Sequence, residues 1–181
     1  MAQPQHSPEA LTLGRVTPRS AAALDLDSDD FYPEGPIAER QAGAGGNRSP
    51  TLSWTAAPGA GAYAIIVEDP DAPRERPFVH WLIWNIPGAA TSLPGGVPAS
   101  THPAGPDGPV QGRNDMGGWG WFGPQPPAGH GMHHYHFQLF ALDGPLTIAP
   151  ESDLRTLLQA MQGRVIANGE LVGTYDTPPP H

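Results

Sequence analysis

Two dense apolar runs stand out from a chain otherwise broken up by turn residues. Ala62-Tyr63-Ala64-Ile65-Ile66-Val67 ends at Glu68-Asp69-Pro70, and Val79 to Ile86 ends at Pro87-Gly88. β-Branched and aromatic side chains dominate both, and the runs are short, which predicts strands buried on both faces. A third strand is predicted over Tyr135 to Leu142, closed by Gly144-Pro145, and Ser49 to Trp54 alternates well enough for a short one. Helical spacing occurs near the C-terminal end. There Leu154, Leu157, Leu158 and Met161 stand at i, i+3, i+4 and i+7, with Ser152 and Asp153 as capping candidates and Gly163 as the stop. From Pro87 to Gly131 no strand pattern is visible, yet Trp119, Trp121 and Phe122 predict a packed loop, because disordered segments are poor in aromatics. These elements predict a mostly β protein, an antiparallel β-sandwich with a small C-terminal helical element. Residues 1–25 are expected to be loosely ordered, 26–176 to form a single domain, and 177–181 to form a Pro-rich tail.

Composition narrows the chemistry. Glycine (23) and proline (24) are about a quarter of the 181 residues, but the apolar residues are bunched rather than dispersed, as in a folded chain with many loops. All nine basic residues are arginine, against 18 acidic ones, for a net charge of −9. That balance argues against nucleic acid as a partner, and the lack of lysine removes Schiff-base chemistry. With no cysteine, disulfides, thiolate nucleophiles and cysteine-zinc sites are excluded together. No apolar stretch approaches the roughly 20 residues of a membrane span and no leader pattern opens the chain, so a cytoplasmic protein without an integral membrane segment is expected.

Three polar clusters adjoin the apolar runs. In Asp69-Pro70-Asp71-Ala72-Pro73 two prolines stiffen a strand terminus that carries two carboxylates, although an exposed acidic turn has the same composition. His80 lies inside a predicted strand, as a core residue or as a ligand contact. The segment Gly129 to Phe137 holds His130, His133, His134 and His136. Strand alternation puts His133, Tyr135 and Phe137 on one face and His134, His136 and Gln138 on the other. The pair His134 and His136 raises a metal site completed by His102, His130 or Asp143, but no acidic ligand follows closely in sequence. Neither a Gly-x-Ser-x-Gly elbow nor a phosphate-binding Gly-rich loop is present.

Taken in order, Asp69-Pro70-Asp71-Ala72-Pro73, Val79-His80-Trp81 with Asn85-Ile86-Pro87, Gly112-Arg113-Asn114-Asp115, and Gly123 through Tyr135 resemble the phosphatidylethanolamine-binding protein family, most closely its bacterial, Raf kinase inhibitor-like branch. Ser49 to Trp54 and Glu170 to Tyr175 extend the similarity, which covers roughly Phe31 to Tyr175. The resemblance implies a β-sandwich with a small open pocket for phosphate-like anions and phospholipid head groups. It implies that Asp69, Asp71, His80, Pro127, His133 and Tyr135 line the pocket, in agreement with the shared face of His133 and Tyr135.

The function expected is non-enzymatic binding of a small anionic or zwitterionic ligand such as phosphate or phosphoethanolamine, without a cofactor. The alternatives are a kinase or protease inhibitor or scaffold acting through protein contacts, and a histidine-based metal-binding protein. A protein partner and a homodimer both remain compatible with the resemblance. In the expected pocket an aspartate orients one histidine, and the imidazolium and the Tyr135 hydroxyl donate to the anion, so that binding weakens as pH rises. Many family members carry His-Arg-Tyr where this chain has His133-His134-Tyr135, so a permanent charge is replaced by one that titrates.

Overall fold

The structure is a computed structural model and describes residues 10–180. In chain order, a short helix α1 (Thr12–Arg15) precedes β1 (Leu26–Asp27), a 3₁₀ turn (Glu39–Gln41), β2 (Leu52–Trp54), β3 (Ala62–Asp69) and β4 (Phe78–Pro87). There follow β5 (Ser92–Leu93), β6 (Val110–Gln111), β7 (His133–Leu142), helix α2 (Leu154–Met161) and β8 (Val165–Tyr175). A five-stranded antiparallel sheet has the order β6-β4-β3-β7-β8, and a three-stranded sheet has the order β1-β2-β5.

The unbroken apolar runs of β3 and β4 have a simple cause: both faces of the larger sheet are covered. Tyr63, Ile65 and Val67 point into one core with Trp81, Ile83, Phe137 and Leu139, closed on its far side by Leu52 and Trp54 of the smaller sheet. Ala64 and Ile66 point the other way, with Leu82, Trp84 and Phe140, onto Leu157, Leu158 and Met161 of α2. A large aliphatic side chain buried in this way contributes about 1.5–3 kcal/mol. The central strands therefore cannot tolerate the polar alternation that a half-exposed sheet would show.

α2 starts where Asp153 accepts a hydrogen bond from the Thr156 amide at 3.0 Å, which selects Asp153 over Ser152 as the cap. Its last turn runs into Gly163 at φ +74°, a left-handed position that favours glycine. The loop between β4 and β7 is packed, as its aromatics predict. Trp121 is buried edge-on against Trp81, whose Nε1 donates to Gln111 Oε1 at 2.7 Å, while Gln111 Nε2 donates to the Pro98 and Ser100 carbonyls.

Besides the two-residue strands β5 and β6, which fall in the stretch without a strand pattern, three features depart from the sequence pattern. β7 begins at His133, two residues before the predicted start. β8 is an eleven-residue strand that the periodicity does not reveal. Gly169 and Gly173 interrupt its apolar pattern because the neighbouring chain crosses there: a Cβ would lie 2.1 Å from the Leu24 carbonyl oxygen at the first, and 2.7 Å from Ile37 at the second. Finally, the expected loose N-terminal segment falls partly on residues 1–9, outside the described residues, but its described part is seated on the sheet. Leu11 and Val16 are buried, and Thr12 donates to the buried carboxyl of Glu68 through both its amide (3.0 Å) and its hydroxyl (2.6 Å). Among the described residues no helix is long and apolar enough to cross a membrane.

Candidate functional site

The site forms where β3 and β4 end beside the start of β7. Antiparallel pairing sets Asp69 opposite Phe78 and Glu68 opposite His136, so the turn after β3 lies against His133 and His134. In that turn Asp69 Oδ1 accepts from the Asp71 amide at 2.8 Å, the self-bonding of an Asx turn. Its other oxygen, Oδ2, lies 2.6 Å from His133 Nδ1, with both side chains almost wholly buried. Nε2 on the far side of the same ring lies 2.6 Å from His130 Nδ1. Asp69, His133 and His130 thus form a continuous chain of hydrogen bonds, buried at Asp69 and His133 and part-buried at His130, and among the described residues His130 Nε2 ends it without a partner.

His80 is held differently. Its Nδ1 lies 2.6 Å from the carbonyl oxygen of Phe122, and a carbonyl can only accept, so Nδ1 carries the proton. Burial lowers its pKa to about 4, against the smaller opposing pull of the Phe122 carbonyl and of Asp69. His80 is therefore a neutral imidazole at physiological pH and its Nε2 is an acceptor. The ring stacks on Phe122 at 5.7 Å, lies 4.7 Å from Phe78 and meets Tyr135 edge-on at 5.1 Å. Tyr135 is 1% exposed, and its hydroxyl is buried with no hydrogen-bond partner among the described residues. Burial, reinforced by the charges of Asp69 and Asp71, pushes its ionisation up, so it stays protonated and able to donate.

These groups border a cavity of about 190 Å³. Of the residues singled out in the sequence, Asp69, His80, Pro127, His133 and Tyr135 line it. Asp71 does not. Its Oδ2 instead accepts from the backbone amide (2.8 Å) and ring Nδ1 (2.7 Å) of His134, pinning the first turn-facing residues of β7. The imidazolium donor expected in the sequence is replaced at His80 by a neutral acceptor, and at His133 both ring nitrogens are already engaged. Phe78, Phe122, Gln125 and Pro126 complete the walls, together with Ala72 and Pro73. The role of Phe122 rests on a backbone carbonyl, for which no residue type carries a signal, whereas the Pro-rich run 124–127 gave a usable one. His134 and His136 do share a face, but each ring meets a carboxylate, Asp71 at 2.7 Å and Glu170 at 3.2 Å. Among the described residues no three His, Asp or Glu side chains gather where a metal ion could sit.

Comparison with known proteins bears on this geometry. The family model described as phosphatidylethanolamine-binding protein matches residues 27–176. A UPF0098 protein of Methanothermobacter thermautotrophicus is 42% identical over 153 residues, 84% of this chain and 98% of that one. Another, from Pyrococcus horikoshii, is 50% identical over 115 residues, which is 64% of this chain and 57% of that protein, so the match spans little more than half of that relative. The crystal structure of Escherichia coli YbcL, described as a member of the mammalian PEBP family, superposes with a TM-score of 0.76 at 31% identity, covering 86% of this chain and 99% of that one. None of these names denotes an enzymatic activity.

Proposed function

Because the chain belongs to the phosphatidylethanolamine-binding protein family, we propose that it binds, without catalysis, a small anionic or zwitterionic group in the cavity bounded by Asp69, His80, Pro127, His133 and Tyr135. The observation that carries the reading is the Tyr135 hydroxyl, buried at the cavity and lacking a partner among the described residues. A buried unsatisfied hydroxyl costs about 1–3 kcal/mol, which a bound oxyanion would recover as a charge-assisted hydrogen bond. Beside it His80 Nε2 offers a lone pair. The ligand must then present an acceptor to Tyr135 and a donor to His80. A protonated phosphate oxygen does both, and so does phosphoethanolamine, whose ammonium supplies a second donor near the carboxylate of Asp69.

This chemistry separates ligands that charge alone would not. Phosphate and phosphoethanolamine are expected to bind, and sulfate, which carries no proton at neutral pH, is expected to bind at least tenfold more weakly. Affinity for the phosphomonoester falls as pH rises through its own second ionisation, near about 6, because the proton donated to His80 is lost. Calorimetric titration of the three ligands into wild-type and Tyr135→Phe protein between pH 5.5 and 8 tests it. Equal affinity for sulfate and phosphate, or undiminished phosphoethanolamine binding in the variant, overturns the reading.

A further inference from the structure

A second and larger opening lies on the other side of the main sheet, with a volume of about 680 Å³ and no lining residue in common with the cavity above. Four of the nine arginines of the chain line it: Arg15 from α1, Arg76 from the β3–β4 connection, Arg113 from the loop after β6, and Arg155 from the first turn of α2. All four are exposed, and among the described residues none has a carboxylate within ion-pair distance. Elsewhere Arg19, Arg40, Arg74 and Arg164 each face an aspartate. In a chain of net charge −9, four guanidinium groups around one cleft, none in an ion pair among the described residues although four carboxylates also line it, are unexpected from composition.

The carboxylates that share the cleft are largely committed to other donors. Asp115 accepts from Arg74 at 3.1 Å and from the Val79 amide at 2.8 Å. Asp153 caps α2, and the Thr156 amide that it accepts from holds its carboxyl below the usual range. Glu68 is buried at the base, where it takes both donors of Thr12 and one from Gln138. Of the four, Glu75 alone accepts from no donor among the described residues.

Arg113 also stands on a fixed support. The Arg113 amide donates to the Ser152 carbonyl at 3.0 Å, tying its loop to the start of α2, and Asn114 closes that loop through bonds to the Met116 and Gly118 amides and the Gly120 carbonyl. The guanidinium of Arg113 lies over Trp119, 5.9 Å from the ring centre. Forked guanidinium donors carried on separate elements suit an oxyanion with several charged oxygens, such as a di- or polyphosphate, better than a single charge.

We propose that this cleft is a second binding site, for a small molecule carrying two or more phosphate groups, independent of the Tyr135 cavity. The test uses inorganic pyrophosphate as probe, with orthophosphate as its singly phosphorylated control, both titrated into the wild-type and the Tyr135→Phe protein; the two ligands are compared in the variant, where orthophosphate binding in the cavity is weakened. Pyrophosphate is expected to bind wild-type protein saturably and, in Tyr135→Phe, more tightly than orthophosphate, with an affinity that falls as salt is added. The Arg113→Gln/Arg155→Gln variant is expected to lose about tenfold or more in affinity, whereas Tyr135→Phe leaves it unchanged. Because the replaced side chains are exposed, the double variant retains the wild-type melting temperature; the pair Arg15→Gln/Arg76→Gln provides the same test from the opposite wall. Absence of saturable pyrophosphate binding, binding insensitive to both arginine pairs, or binding lost in Tyr135→Phe overturns the proposal. The last result would assign pyrophosphate to the cavity and leave the cavity reading intact.

Discussion

At the scale of single residues, the state of His80 decides what kind of ligand the cavity accepts. Its pKa of about 4 means that between pH 4 and the ordinary histidine value the unfolded chain binds a proton that the native protein does not. Stability contributed by keeping His80 neutral is therefore complete above about pH 6.5 and is lost as pH falls toward 4, at up to about 1.4 kcal/mol per pH unit. An NMR titration of the His80 ring should give a midpoint near 4 with the proton on Nδ1 throughout; a midpoint between 6 and 7 would restore the imidazolium donor and refute the acceptor role. Tyr135 gives the complementary prediction. Since its hydroxyl is unsatisfied, Tyr135→Phe should leave the urea midpoint unchanged or raise it slightly, by about 1 kcal/mol of stability, while weakening the ligand. A clear loss of stability would mean that the hydroxyl has a structural partner.

At the scale of elements, the most instructive strand is β8. Hydrophobic alternation is diluted there by Asn168, Gly169, Glu170 and Gly173, and its extended conformation is imposed by ten residue pairings with β7 rather than by intrinsic preference. Its two central glycines differ in what they face. A Cβ at Gly169 meets the Leu24 backbone carbonyl, which is held by its own chain, whereas a Cβ at Gly173 meets side-chain atoms of Ile37 and Phe31 that can turn aside. Gly169→Ala should accordingly destabilise by about 3 kcal/mol or more and Gly173→Ala by less, about 1–2 kcal/mol, when compared by urea denaturation. Equal costs would show that Leu24 yields as easily as a side chain. β3, β4 and β7, in contrast, were legible from their residues, because burial on both faces requires continuous runs of β-branched and aromatic side chains. The helix was legible because three of its four spaced apolar residues reach the second core and Asp153 caps it.

At the scale of the whole molecule, the main sheet is closed on one side by the smaller sheet and on the other by α2 together with the N-terminal strap. Besides the burial of Leu11 and Val16, that strap is fastened by polar contacts: Thr12 to Glu68, and the Leu13 amide to Gln138 Oε1 at 2.7 Å. Burial pushes the Glu68 carboxyl up, and the Thr12 donors oppose that shift. Thr12→Val keeps the shape but removes the hydroxyl donor, and should cost about 1–3 kcal/mol of stability in urea denaturation. No change would mean that the strap is not coupled to global unfolding. The weak periodicity of these residues hid this role, because a buried Thr–Glu pair leaves no apolar pattern to find.

The sequence by itself determined the central strands, the helix, the faces of β7, and the family, since each depends on residue types at short spacing. Four of the residues assigned to the pocket line it for the same reason: Asp69, His80, His133 and Tyr135 each lie on a strand whose register the apolar pattern dictates, while Pro127 reaches it from the Pro-rich loop. Tertiary structure alone decided the rest. It turned Asp71 toward His134 and away from the cavity, and it gave His80 a carbonyl and a dry environment that fix its proton. It also joined His130 to His133 and gathered four arginines, far apart along the chain, around one cleft. Burial, tautomer and charge convergence depend on which segments meet across the fold, and pairings at such separation leave no local pattern in a chain.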